Sequence, residues 1–133
     1  MTSPRYPDDR LYHEENLWIC NLAEPGTAAI GVSHFAQDQL GDIVSITLPG
    51  VGQRISFGNA FGEIEAAKVV SDLIAPANGT VIACNAELVG DPTLVNSDCY
   101  GAGWLVHIAI DSAMDHPTLM TAAKYRSHVG ADD

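Results

Sequence analysis

Apolar and polar residues alternate along this chain in short runs broken by turn residues, the pattern of strands rather than of long helices. Leu17-Trp18-Ile19-Cys20-Asn21-Leu22 predicts a strand, Glu24-Pro25-Gly26 a turn, and Thr27-Ala28-Ala29-Ile30-Gly31-Val32 its antiparallel partner. Ser33 is placed to cap a short helix over Phe35-Ala36-Gln37-Asp38-Gln39-Leu40, which Gly41 ends. The stretch from Pro92 to Gly103 reads as a loop leading into a strand, Trp104-Leu105-Val106-His107-Ile108-Ala109-Ile110. In that strand Trp104, Val106, Ile108 and Ile110 share one face and His107 takes the other. Asp115-His116-Pro117 opens a C-terminal helix, which Leu119, Met120, Ala123 and Tyr125 are expected to pack onto the sheets.

The middle of the chain carries an internal echo. Pro49-Gly50-Val51-Gly52-Gln53-Arg54-Ile55 is answered by Pro76-Ala77-Asn78-Gly79-Thr80-Val81-Ile82: proline, turn, glycine, then a strand with isoleucine at the matching place. Two such copies are expected to pair about a pseudo-twofold axis, with Ile82 and Trp104 as core residues. Between the copies lies Gly62-Glu63-Ile64-Glu65-Ala66-Ala67-Lys68-Val69-Val70, two strand ends joined by a very short connection. The connection holds Lys68, one of only two lysines, at the tip of a hairpin. Most turn lysines are only solvated, but this order of strand, turn amine and strand is also how a carrier presents an attachment amine.

Composition narrows the classes. A chain of 133 residues that is 47% hydrophobic makes one domain with a real core. The expected division is a flexible arm over 1–10, a single domain over 11–128 and a loose tail over 129–133. No apolar run approaches the roughly 18 residues that a membrane-spanning helix needs, and the N-terminal stretch shows no secretory pattern. Cys20, Cys84 and Cys99 have neither CxxC spacing nor a disulfide framework, so reduced thiols in a cytoplasmic protein are expected. Six basic residues against seventeen acidic ones leave a formal charge of -11. That balance excludes nucleic acid and anionic membrane as partners and favours enzymes with basic rims.

From Tyr12 to Ile110 the sequence resembles the H protein of the glycine cleavage system. The matching stretches include Gly31-Val32-Ser33-His34-Phe35-Ala36-Gln37, Leu40-Gly41-Asp42-Ile43-Val44, Phe61-Gly62-Glu63-Ile64-Glu65-Ala66-Ala67-Lys68, Leu94-Val95-Asn96-Ser97-Asp98 and Tyr100-Gly101-Ala102-Gly103-Trp104. The resemblance implies a mostly β, lipoyl-domain-like flattened barrel or sandwich with short flanking helices and a C-terminal helix. It implies a monomeric, non-catalytic carrier with lipoate covalently attached to Lys68. Glu65, Ala67 and Asp72 flank that lysine as recognition positions for the lipoate-attaching enzyme. The implied partners are a glycine decarboxylase, an aminomethyltransferase and a dihydrolipoyl dehydrogenase, between which an aminomethyl group moves.

The chain departs from the family pattern near its start. Glu15-Asn16-Leu17 stands where the family has Glu-His-Glu, and His34 stands where it has Asp. Glu15, Asn16, Leu17 and His34 are therefore candidate partner-docking residues. Their change admits an alternative: an H-like lipoate-binding protein carrying sulfur intermediates to a heterodisulfide-reductase-like complex. A free-standing enzyme is the reading from a third class, with five histidines on offer as bases. No HExxH, GxSxG or phosphate loop supports it, and the histidines lack metal-ligand spacing. Biotin carriage is disfavoured because alanine and valine, not paired methionines, flank Lys68.

Overall fold

The computed structural model describes residues 6–111 and 119–130. In chain order the elements are β1 (Leu11–Tyr12), β2 (Leu17–Asn21), β3 (Thr27–Val32), α1 (His34–Leu40), β4 (Ile43–Thr47), β5 (Arg54–Ile55), β6 (Ala60–Ala66), β7 (Val70–Ile74), β8 (Gly79–Cys84), α2 (Glu87–Gly90), α3 (Leu94–Ser97), β9 (Val106–Ile110) and α4 (Ala122–Val129). The strands form two antiparallel sheets, of order β1-β2-β3-β9-β8-β5 and β4-β6-β7. The mostly β architecture with short helices is the one expected, and its two sheets are not closed into a barrel.

One apolar cluster joins the sheets. Ile19, Ile30, Val81, Val106 and Ile108 of the larger sheet are buried with Ile43, Ile64 and Leu73 of the smaller. A second, aromatic cluster gathers Tyr6, Tyr12, Trp18, Met120, Ala122 and Tyr125. Tyr12 and Tyr125 stack with centroids 4.8 Å apart, and Tyr6 meets Tyr125 edge-on at 5.8 Å. Within the segment expected as a loose arm, Tyr6 is thus buried and Arg10 lies over the Trp18 ring at 4.6 Å. Helix α1 has the caps read from sequence: Ser33 Oγ accepts from the Ala36 N–H, and the Gly41 N–H donates to the Gln37 carbonyl.

The echo segments do pair. Arg54 faces Thr80 and Ile55 faces Gly79, while the Gly52 N–H and Gln53 carbonyl extend the ladder to Val81. The side chains at the echoed isoleucines nevertheless differ. Ile55 is buried, but Ile82 is 43% exposed, because the register of β8 against β9 shifts between Val81 and Ala83 and leaves Ile82 as the extra residue of a bulge. Val81 takes the core position instead. The closing strand begins two residues later than expected. Trp104 lies outside β9, half-buried, and its ring stacks on His107 at 4.0 Å rather than sharing the Val106 face; Leu105 fills the core.

Two further expectations need revision. The stretch before Trp104 contains α3, turned by its own backbone bonds between Thr93 and Asn96 and between Leu94 and Asp98. The C-terminal helix is α4, capped by Thr121 and closed by Gly130 in the left-handed conformation; the start expected at Asp115-His116-Pro117 lies outside the described residues. Ala122 and Tyr125 pack this helix, whereas Ala123 is exposed, since the buried face is set one residue earlier by the Thr121 cap.

Candidate functional site

The β6–β7 hairpin is the narrowest connection in the smaller sheet. Glu63 pairs with Asp72, Ile64 with Ser71 and Glu65 with Val70; the Ala66 N–H then donates to the Val69 carbonyl at 2.8 Å. Ala67 and Lys68 are the two residues at the tip. Among the described non-glycine residues only Asn16 has a positive φ, so this turn is made with ordinary backbone angles. Ala67, Lys68, Val69 and Val70 are all exposed, and no hydrogen bond or ion pair engages the Lys68 ammonium among the described residues. Behind the tip, Ile64, Ala66 and Leu73 anchor the hairpin in the core while Glu63, Glu65 and Asp72 face solvent. The strand alternation that buries Ile64 also points its neighbouring carboxylates outward.

Beside the hairpin opens a cleft of about 190 Å³. One wall is the β1–β2 turn, Glu15, Asn16 and Leu17; another is α1, through Ala36, Gln39 and Leu40; the third is Ile64 with Ser71, Asp72 and Leu73 of the hairpin itself. Sequence reasoning had marked Glu15, Asn16, Leu17 and Asp72 for different reasons, and the fold brings the four together here. Their roles differ. Glu15 and Asp72 offer exposed carboxylates at the rim, while Leu17 is buried and forms part of an apolar floor. Asn16 is built into the turn, with φ 73° and its side-chain carbonyl accepting from the Tyr125 hydroxyl at 2.8 Å.

His34 does not line the cleft. Its ring meets Tyr6 edge-on at 6.0 Å and bonds Gln37, while its backbone N–H donates to the Tyr100 hydroxyl at 2.9 Å. It is half-buried at the start of α1, apart from the other three residues marked for docking. Sequence reasoning placed Ser33 as a helix cap and Tyr125 as a packing residue, but gave no sign that their hydroxyls meet or that Tyr125 bonds Asn16.

The cysteines take no part in the site. Cys99 is buried, and burial pushes its thiol up to about 12, beyond the reach of ordinary thiolate chemistry. Burial also raises Cys20 and Cys84 above the usual thiol value. No group of three or more histidine, cysteine or acidic side chains is arranged for a metal among the described residues. No helix of the described residues is long and apolar enough to cross a membrane.

A small two-sheet β fold that presents one unencumbered lysine on a two-residue hairpin, with a part-apolar cleft beside it, defines the class of protein. The family follows from comparison with known proteins. The family model for the glycine cleavage H-protein matches residues 10–132, and the chain belongs to that family. The glycine cleavage system H protein of Micrococcus luteus is 45% identical over 122 residues, covering 92% of this chain and 95% of the relative. That of Mycobacterium leprae is 48% identical over 124 residues, covering 90% and 93%. The crystal structure of a glycine cleavage system H protein from Mycobacterium marinum superposes with a TM-score of 0.86 at 38% identity, covering 93% of this chain and 98% of that one. The sulfur-carrier alternative finds no support in these matches, which bear the glycine cleavage name.

Proposed function

We propose that this chain is the lipoyl carrier of a glycine cleavage system, with lipoate in amide linkage to the Nζ of Lys68. The observation that supports this reading most is the exposed hairpin tip that isolates Lys68 in a member of this family. The group fits the residues present. The amine is accessible to an attaching enzyme, whose recognition would fall on Glu65, Ala67 and Asp72 around the tip. Strands rise about 3.3 Å per residue, so Ser71 and Leu73 lie no more than roughly 10 and 17 Å along the chain from Lys68, within reach of a lysine extended by an octanoyl-length chain. Leu17, Val32, Leu40, Ile64 and Leu73 would hold the apolar part of that arm, and Glu15 and Asp72 would face a charged end.

When attached, lipoate supplies a strained disulfide that opens to take up an aminomethyl fragment and a dithiol that is later reoxidised. The chain's own residues position, shelter and present the arm, and no acid, base or nucleophile of the protein is needed; the carrier is non-catalytic. The tether keeps the arm at high local concentration for successive partners. Those partners are a glycine decarboxylase, an aminomethyltransferase and a dihydrolipoyl dehydrogenase, all met by a monomeric carrier in the cytoplasm.

Glycine–bicarbonate exchange with a glycine decarboxylase tests the proposal. The lipoylated chain is expected to support exchange and its Lys68→Arg variant to support none. Exchange retained by Lys68→Arg, or absent with the lipoylated chain, would overturn it.

A further inference from the structure

The two walls of the cleft that do not belong to the hairpin are tied together by one buried hydroxyl from the far end of the chain. Tyr125, fully buried in α4, donates through its hydroxyl to Asn16 Oδ1 at 2.8 Å, and the same oxygen lies 2.7 Å from Ser33 Oγ. Because the tyrosine proton is committed to Asn16, Ser33 must donate to Tyr125, leaving the Ser33 oxygen to accept from the Ala36 N–H. The chain of bonds thus has one direction: Ser33 to Tyr125 to Asn16. Ser33 is the cap of α1, the helix of one wall, and Asn16 heads the turn of the other. The Ser33 N–H also donates to the Asn16 carbonyl at 2.9 Å, so the walls meet twice.

Asn16 accepts this bond from a left-handed backbone, φ 73°, a conformation that asparagine tolerates better than most side chains. Burial holds the Tyr125 hydroxyl well above its ordinary titration range, so it remains a donor. A satisfied buried network of this kind fixes one geometry more firmly than apolar packing does.

Resting on the reading of the cleft as the seat of the lipoyl arm, we infer that Tyr125 is a positioning residue: through Asn16 and Ser33 its hydroxyl sets the distance between the cleft walls, and so how well the arm is sheltered. Helix α4 thereby controls a site it does not touch, and Asn16 is a positioning residue rather than a docking contact.

The test compares wild type with Tyr125→Phe, which keeps the ring stack, with Asn16→Gly, which keeps the left-handed turn but removes the acceptor, and with the double variant. In the unlipoylated chain, amide hydrogen exchange at Ser33 and Ala36 is expected to quicken about tenfold in Tyr125→Phe, the order set by one lost hydrogen bond. Exchange at Ala66 in the hairpin is expected to change less than about twofold, since no shared bond links it to Tyr125. In the lipoylated, reduced chain, alkylation of the arm thiols by iodoacetamide, read by mass on the Lys68 peptide, is expected to rise about threefold or more in either single variant. The double variant is expected to go no faster than the singles, because both break the same link. Unchanged exchange at Ser33 and Ala36 would overturn the tie. Faster exchange with unchanged arm alkylation would leave the bond structural only and overturn the positioning role. A wild-type chain with no lipoyl mass on Lys68 would instead overturn the proposed function, and the exchange rates would still decide the tie.

Discussion

At Gly31 there is no room for even a methyl group. A Cβ there would lie 2.5 Å from the Trp18 indole, which is itself held by an Nε1–H donated to the Cys99 carbonyl at 3.0 Å. Gly31→Ala is therefore expected to cost about 1–3 kcal/mol by overpacking, measured as a lower denaturant midpoint with unchanged slope. Lys68 is the opposite case: exposed and unengaged among the described residues, it lends the fold almost nothing. Lys68→Ala is expected to move stability by less than about 0.5 kcal/mol in the same measurement, and a loss of several would mean that the amine is structural. Lys68 was legible in the sequence because everything that exposes it is local, two strand ends and two tip residues. Asn16 was singled out too, but its left-handed backbone and its bond to Tyr125 were not legible, since they depend on residues that meet only in the folded chain. The placement of His34 apart from the cleft was equally hidden, its surroundings being Tyr6 and Tyr100 from distant segments.

The elements that were read correctly are those whose signals lie within them. Strands β2 and β3 are mostly apolar runs between clear turns, and α1 is bounded by Ser33 and Gly41. Errors collected where an element depends on its neighbour. The bulge in β8 is set by pairing with β9, so the choice between Val81 and Ile82 for the core could not be made from β8 alone. Leu105 precedes β9 and Trp104 turns onto His107, a reversal that period-two alternation cannot foresee. The structure accordingly moves the core position away from Ile82, expected as a core residue, and gives one to Leu105. Leu105→Ala is expected to cost roughly 2–5 kcal/mol through the cavity it leaves. Ile82→Ala, at an exposed bulge, is expected to stay within about 0.5 kcal/mol, and thermal or denaturant unfolding of the pair separates the two cases. Two asparagines act between elements, one of them, Asn96, in a stretch shared with the family. Asn96 accepts from the Ile43 N–H and donates to the Gly41 carbonyl, and Asn85 donates to the Ala102 and Trp104 carbonyls. These bonds fasten the loops between elements, and they leave the hairpin free to project.

On the scale of the whole molecule, the formal charge of -11 suits a carrier that meets partners within the glycine cleavage system. Acidic Glu63, Glu65 and Asp72 near the tip would steer encounters with basic rims. In exchange assays the KM for the lipoylated chain is therefore expected to rise with ionic strength while kcat changes little, because screening acts on encounter. A KM insensitive to salt would assign docking to apolar contacts such as Val69 and Val70 instead. Beneath each of these expectations lies the identity of one amine. Co-expression with a lipoate-attaching enzyme, followed by peptide mass mapping, addresses it directly. One lipoyl mass on the peptide containing Lys68, lost in Lys68→Arg, is the result expected; a chain left unmodified, or a lipoyl mass carried by Lys124, would contradict the account.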